Sequence, residues 1–219
     1  MTSPVRIRYQ TIEIGNNDIH LCTLRDNQQF NDDQGLALEL GISSATWPLF
    51  GVIWPASIVL AHYVLEFDTS GKRILEVGCG IALSSILLNK QHENITATDY
   101  HPEVKVFLDR NTKLNQGKDI DFERVDWADD NSQLGKFDLI IGSDLLYEDQ
   151  HIALLAGFIE NHAQDKCEVI IVDPGRGRAS KLSTQMQAFG FTSEHAKPVH
   201  TEYLEKHFKG QILKYSRGE

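Results

Sequence analysis

Gly78 and Gly80 stand one residue apart between two apolar runs, RILEV and ALSSILL. A strand that ends in a Gly-x-Gly turn and re-enters as a helix lets a nucleotide-like ligand approach backbone N–H groups. Glu76 lies two residues before the turn, and Asp99 follows Glu76 by twenty-three residues. An acid at about that spacing takes the ribose hydroxyls in nucleotide-binding α/β sheets. Asp126–Trp127 and Ser143–Asp144 end two further segments, adding a carboxylate and an indole where an adenine would lie and another acid beyond. Leu83 occupies the place of the third glycine in Gly-x-Gly-x-x-Gly, which argues against a dinucleotide as the ligand. Each feature has a plainer reading: glycines serve tight turns, Asp99 can cap the next helix or close a turn, and Trp127 can be core. Their recurrence at successive segment ends is what points to one shared site.

The elements that must position these residues alternate along the chain. RILEVG, NITATD, DFERVDW, KFDLIIGSD and CEVIIVDPG read as strands; ALSSILLNKQ, EVKVFLDRNTKLNQ, IALLAGFIENHA and ASKLSTQMQAFG read as the helices between them. This alternation predicts an α/β fold, Rossmann-like, with a mostly parallel sheet and helices on both faces. Ligands of such sheets bind beyond the carboxyl ends of the strands, where all the candidate residues fall. GQILKYS reads as a late strand, and HTEYLEKHFKGQILKY as an antiparallel hairpin containing it. Before the first of these strands, ASIVLAHYVLEF has helical apolar spacing, while Gly41, Pro48, Gly51 and Pro55 exclude a long helix upstream. Residues 1–45 read as an N-terminal extension, with VRIRYQTIEI and IHLCTL as arms of a β-hairpin across GNND. Residues 46–219 then form the main domain.

At 219 residues, with a net charge of −10 and no basic run, the chain lacks the footprint of a phosphate-backbone binder. A basic protein surface suits its field better than nucleic acid. The three cysteines, Cys22, Cys79 and Cys167, form no metal or disulfide pattern. Among the nine histidines, His20 with Cys22 and His195 with His200 lack the partners of a metal site. The N-terminus has no apolar signal core, and VIWPASIVLAHYVL is interrupted by Pro55 and His62 and short for a bilayer. The expectation is a cytoplasmic protein with no metal, no membrane and no nucleic-acid partner.

EVGCGIA, ITATDYHPEV, VDW and DLIIGSDLLYE together resemble the seven-stranded (class I) S-adenosylmethionine-dependent methyltransferases, from about Trp54 to the C-terminus. SDLLYE resembles the Asp-x-x-Phe/Tyr motif of the non-histone protein lysine methyltransferases, and GVIWPASIVLAHYV is similar to the segment before their first strand. The resemblance implies a seven-stranded sheet with an antiparallel last strand and S-adenosyl-L-methionine as cofactor. It implies that Glu76, Gly78 and Gly80 frame the methionine moiety, Asp99 binds the ribose, Asp126 and Trp127 border the adenine, and Trp54 closes over the cofactor. Cys79, Tyr100 and Ser143 count with this cofactor-binding set. Asp144 and Tyr147 would line the entry of the acceptor, a protein bearing a target lysine, with Asp144 orienting the amine and Tyr147 walling its stem. The plainer reading has Asp144 capping the next helix. Arg176 and Arg178, in PGRGR, would touch substrate or an acidic neighbour, or stay solvated. Two other readings use the same cofactor site: transfer to a small amine or another protein side chain, and a non-catalytic binding module. SDLLY in place of an Asn-Pro-Pro-Tyr-type stretch argues against a nucleic-acid methyltransferase.

Overall fold

A computed structural model describes residues 5–129 and 133–218. The chain opens with a two-stranded antiparallel hairpin, β1 (Ile7–Ile14) and β2 (Asn17–Leu24), joined through Gly15 at φ +56°. A helical turn, α1 (Leu36–Glu39), and a 3-10 turn over Trp47–Gly51 lead into α2 (Pro55–Glu66). Pro48 and Pro55 each sit at the start of a helical piece, where the missing N–H costs nothing, which is why this stretch is broken rather than one helix. By length and composition Trp47–Glu66 is apolar enough to cross a membrane. In the fold its α-helical part is twelve residues long and buries Ala56, Val59, Leu60, Ala61 and Val64 in the core.

Strand–helix alternation follows: β3 (Arg73–Val77), α3 (Leu83–Lys90), β4 (Asn94–Asp99), α4 (Val104–Leu114), β5 (Asp121–Arg124), β6 (Phe137–Ser143), α5 (Asp149–His162), β7 (Ala163–Asp173), α6 (Ala179–Ala188), β8 (Thr192–Ala196) and β9 (Gln211–Arg217). The last seven strands form one sheet in the order β5-β4-β3-β6-β7-β9-β8. The first five strands in that order run parallel, while β9 lies antiparallel to both β7 and β8. Strand order reverses between β3 and β6, which makes the crevice above those two strands the binding place of such a sheet.

Side-chain alternation sends each strand's residues to two separate cores. Ile74, Leu139, Ile141, Ile170 and Val172 join α2, α3, α4 and the hairpin on one face. Leu75, Val77, Ile140, Val169 and Ile171 join α5 and α6 on the other. Central strands buried on both faces read as unbroken apolar runs, which is why VIIV and LII stand out in the sequence.

The hairpin packs through Ile14, Ile19, Leu21, Cys22 and Leu24 into the first core. Its β2 edge is satisfied by α4 instead of a third strand. Asn111 accepts from Cys22 N (2.7 Å) and donates to Cys22 O (3.2 Å); Asn115, one turn on, accepts from His20 N (2.9 Å) and donates to His20 O (2.7 Å). The i, i+4 spacing of the amides matches the i, i+2 spacing of free backbone groups along the strand edge.

The C-terminal pairing differs from the expected hairpin. The partner of β9 is Thr192–Ala196, paired from Thr192↔Ser216 to Ala196↔Ile212, and the HTEYLEKHF stretch is a connection between the two strands. TSEHA has almost no buried side chain, so this edge strand carries no apolar alternation to mark it.

Candidate active site

The glycine turn is built by backbone constraints on both sides. Gly78 and Gly80 have φ of +61° and +52°, a region open to glycine at no cost. A β-carbon on Gly78 would stand 2.5 Å from Leu145 Cδ2, and one on Gly80 would stand 3.1 Å from the carbonyl of Phe50. Cys79 N donates to Thr98 O (2.9 Å), tying the turn to β4, and the Cys79 thiol is buried, which raises its pKa well above the ordinary range. Cys79 is therefore an inert small packing residue.

Asp99 completes this half. Its two carboxylate oxygens accept from Gly80 N (2.8 Å) and His101 N (2.9 Å), and burial raises its pKa while these backbone donors oppose the rise. Each oxygen keeps a further lone pair for a ligand hydroxyl. The turn reading of Asp99 and the ligand reading are thus both compatible with one geometry. Glu76, at the heart of the sheet, accepts from Ser85 N (2.9 Å) and from the Ser85 hydroxyl with a single oxygen. It thereby caps the N-terminus of α3, whose own preceding residue, Ala82, makes no side-chain cap. Burial pushes the Glu76 carboxyl up to about 7, with the Ser85 bonds opposing and Asp99 adding to the rise.

The aromatic residues lie around this turn in different ways. Trp54 is half-buried at the start of α2 with its indole N–H on Leu49 O (2.9 Å). Trp127 and Asp126 lie just past the end of β5. The indole is half-buried against the second core and edge-on to His151; the Asp126 carboxylate is exposed and accepts from Ala128 N (2.9 Å). Tyr100 turns away, its hydroxyl donating to Leu40 O (2.8 Å). His101 is buried, stacked on Phe50 at 4.0 Å, and its pKa is pushed down to about 4 by burial. Its Nδ1 accepts from Glu103 N (3.2 Å), while Nε2 has no hydrogen-bond partner among the described residues.

The other half of the cleft stands at the ends of β6 and β7. Pairing of Val77 with Gly142 places Ser143 and Asp144 beside the glycine turn. Asp144 adopts φ +54°, has its N–H on Val172 O (2.8 Å) and is only 5% exposed. It does not cap α5. Its carboxylate is held by Arg176 in a two-pronged ion pair, Nε to Oδ1 at 2.5 Å and Nη2 to Oδ2 at 2.9 Å. The same guanidinium lies 4.3 Å above the ring of Tyr147. Tyr147 is 40% exposed, and burial of its hydroxyl, with the charges of Asp144 and Asp99, pushes its pKa up to about 12. Asp99 and Asp144 are thus both felt at one phenol, and Leu145 joins the two halves by packing on Gly78. Arg178 pairs with Asp149 (2.9 Å), so both arginines of PGRGR contact acidic neighbours.

A reversing parallel sheet with a glycine turn and an acid at the next strand end is the Rossmann-like arrangement that binds its ligand above the switch point. The ribosomal protein L11 methylase of Lactobacillus delbrueckii subsp. bulgaricus shares the fold, with a TM-score of 0.59 and 20% identity over 75% of this chain and 79% of that one. Residues 36–187 match the lysine methyltransferase family, and the chain belongs to it. A histidine protein methyltransferase 1 homolog of Dictyostelium discoideum is 35% identical over 124 residues, 52% of this chain and 40% of that protein. The protein N-lysine methyltransferase METTL21A of Danio rerio is 30% identical over 139 residues, 58% of this chain and 63% of that protein. The chain therefore spans less than two thirds of the length of either relative.

Two participants were weakly marked in the sequence. Arg176 was one of three readings of a glycine-flanked arginine after a strand, and nothing local named Asp144 as its partner. The capping role of Glu76 was hidden because Ser85, whose N–H it takes, stands nine residues further on, in the next element.

Proposed function

We propose that the chain is an S-adenosylmethionine-dependent methyltransferase that modifies a lysine side chain of a protein. The observation that carries the reading is the juxtaposition of Asp99 and the glycine turn with Asp144 and Tyr147 at neighbouring strand ends, linked by Leu145 against Gly78. The spare lone pairs of Asp99 suit ribose hydroxyls, and the left-handed Gly78–Gly80 backbone suits close approach of the methionine moiety. Trp54, Asp126 and Trp127 border the adenine end, with Cys79 and Ser143 packing beneath; Tyr100 contributes from the rim, through its tie to Leu40.

S-adenosylmethionine, when bound, supplies a methyl group already activated on a sulfonium. The protein is then left to position the acceptor and manage one proton. A lysine ammonium has an ordinary pKa of about 10.4 and must become neutral before it can act as a nucleophile. Asp144 accepts an N–H of the incoming group, orients its lone pair and lets the proton pass to water. Tyr147 offers an aromatic wall for the aliphatic stem and for the methylated cation. A general acid–base or orienting carboxylate of this kind is worth about 10²–10⁴ in rate. The overall acidic charge favours acceptors with basic surroundings, and three unpaired cysteines fit a cytoplasmic setting, which is part of this proposal.

A second reading, transfer to another protein side chain, has the histidine methyltransferase relative in its favour. The two are separated by one experiment. Tritiated S-adenosylmethionine is added to an extract of cells lacking the protein, together with purified wild type or Asp144→Ala. A discrete protein band labelled by wild type only, with the label mapped to lysine, is the expected result. Label on histidine selects the second reading. No protein label, with cofactor binding confirmed by calorimetry, overturns both.

A further inference from the structure

The carboxylate proposed to receive the substrate's amine is already holding a cation. Both oxygens of Asp144 are taken by Arg176, and the guanidinium's face lies on the Tyr147 ring at 4.3 Å. A carboxylate edge joined to an aromatic face is the environment that an acceptor ammonium and its methylated product require. While this pair stands, the guanidinium holds both the carboxylate edge and the ring face that an incoming ammonium would use.

The segment that carries Arg176 is constructed to release it. Gly175 and Gly177 flank it at φ +102° and +76°. A β-carbon at Gly177 would meet nothing within 4 Å, and one at Gly175 only Lys209 O at 3.8 Å, so neither glycine is demanded by packing. The base of the segment is held by fully buried Asp173, which accepts from Gly175 N (3.2 Å) and, at longer range, Arg176 N (3.4 Å). Its far end is held by Arg178 on Asp149. Between these anchors the Arg176 side chain bonds to Asp144 and lies on the Tyr147 ring, with the charge of Asp173 also acting on it.

We propose that Arg176 is the gate of the acceptor subsite: its guanidinium occupies the Asp144–Tyr147 pair in the resting enzyme and must leave before a substrate side-chain cation enters. The identity of the subsite rests on the proposed methyl transfer; the competition for it does not. Arg176 thereby sets selectivity, because only an acceptor that brings enough binding energy from its protein surface displaces a cation held by two hydrogen bonds. Free alkylamines, which have no such surface, are excluded.

The test uses the full chain loaded with S-adenosylhomocysteine and n-butylammonium as the lysine side-chain probe, titrated by saturation-transfer NMR. Wild type is expected to bind the probe at least tenfold more weakly than Arg176→Ala, with Arg176→Lys between them. Asp144→Asn added to Arg176→Ala is expected to remove the gained binding. Arg176→Gln, which keeps most of the volume, serves if the alanine variant loses its fold. Equal probe affinity in wild type and the Arg176 variants, or a gain that survives Asp144→Asn, overturns the gate. With an acceptor protein in hand, Arg176→Ala is expected to lower its KM, and ethylguanidinium is expected to inhibit the variant competitively. If ethylguanidinium instead raises kcat, Arg176 positions Asp144 and the gate is wrong. A failure to find any labelled protein would refute the proposed function and leave the probe titration to be read on its own.

Discussion

The two sides of the cleft are made differently. Around Gly78, Gly80 and Asp99 the polar contacts run from carboxylate or carbonyl to backbone N–H, between strands of the same parallel sheet. Around Asp144, Tyr147 and Arg176 they run from side chain to side chain, and the arginine comes from a glycine-flanked loop. Backbone contacts of sheet strands are fixed once the sheet forms, whereas side-chain pairs can exchange partners. The first arrangement suits a ligand that always binds in the same pose; the second suits a place that must open for an acceptor and release a larger product.

The comparison breaks most completely at Gly78, where Leu145 of one half packs on the turn of the other. Gly78→Arg places a side chain at φ +61° with its β-carbon 2.5 Å from Leu145. It is expected to abolish cofactor binding and also to destabilise the fold by about 3 kcal/mol or more, the scale of overpacking combined with backbone strain. Calorimetry and thermal unfolding measured together check this. Loss of binding with an unchanged Tm would mean that Gly78 serves the ligand alone and that the halves are not mechanically joined.

A paired substitution sharpens the contrast next. Asp144→Asn is expected to lower transfer by about 10²–10³ while leaving cofactor affinity within about twofold. Asp99→Asn keeps the shape and is expected to weaken cofactor binding by about 10–100-fold, the worth of charged hydrogen bonds to two hydroxyls. Its transfer rate at saturating cofactor should then approach wild type. Steady-state kinetics with calorimetry resolves the two. If Asp144→Asn weakened the cofactor as much as Asp99→Asn does, the division of labour between the two sides would be wrong.

How much of this was legible in the sequence follows the same division. The glycine turn and its neighbouring acid, the proposed cofactor side, stood out because strand-end acids and paired glycines are local signals, each confined to a few residues with a known backbone requirement. The parallel sheet with helices on both faces was readable from strand–helix alternation and from unbroken apolar runs such as VIIV, whereas the strand order was not. The proposed acceptor side stood out only in half: Asp144 and Tyr147 share one motif, but the arginine that contacts both stands thirty-two residues from Asp144, on the neighbouring strand's loop. Such a pairing is created by the β6–β7 register and leaves no trace in local spacing. The same holds for β8, which carries no apolar pattern, and for the bonding of Asn111 and Asn115 to a strand ninety residues upstream.

Glu76 gives a smaller effect with a definite sign. Its carboxyl titrates near 7 in the fold against an ordinary 4.5, so the folded state holds a proton that the unfolded state has lost between those values. The stability this contributes is fully present below pH 4.5 and is lost as pH rises through 7, amounting to at most about 3 kcal/mol. His101, depressed from 6.5 to about 4, acts in the opposite direction, adding stability as pH rises from 4 to 6.5. The raw pH–stability curve therefore mixes both. Glu76→Gln keeps an acceptor for Ser85 without the charge, and the difference between variant and wild type isolates the carboxyl. That difference is expected to be small at pH 5 and to favour the variant at pH 8, measured by urea unfolding. A difference that does not change with pH would show that Glu76 is not the group that titrates.

The smallest expected effect concerns the hairpin, far from the transfer chemistry. Asn111 is fully buried and Asn115 partly exposed, yet each makes the same two bonds to β2. Water can replace the second amide but not the first. Asn111→Ala is therefore expected to cost about 2–3 kcal/mol, because it orphans a buried donor and acceptor on Cys22, and Asn115→Ala less than about 1 kcal/mol. Amide exchange reads the two sites separately: Cys22 should lose protection in the first variant, and His20 in the second with little change in global stability. Equal costs would mean that the β2 edge is held by apolar packing of Leu21 and Leu24 rather than by these amides. In that case α4 would position Asp99's strand without help from the hairpin, and cofactor affinity would be indifferent to both substitutions.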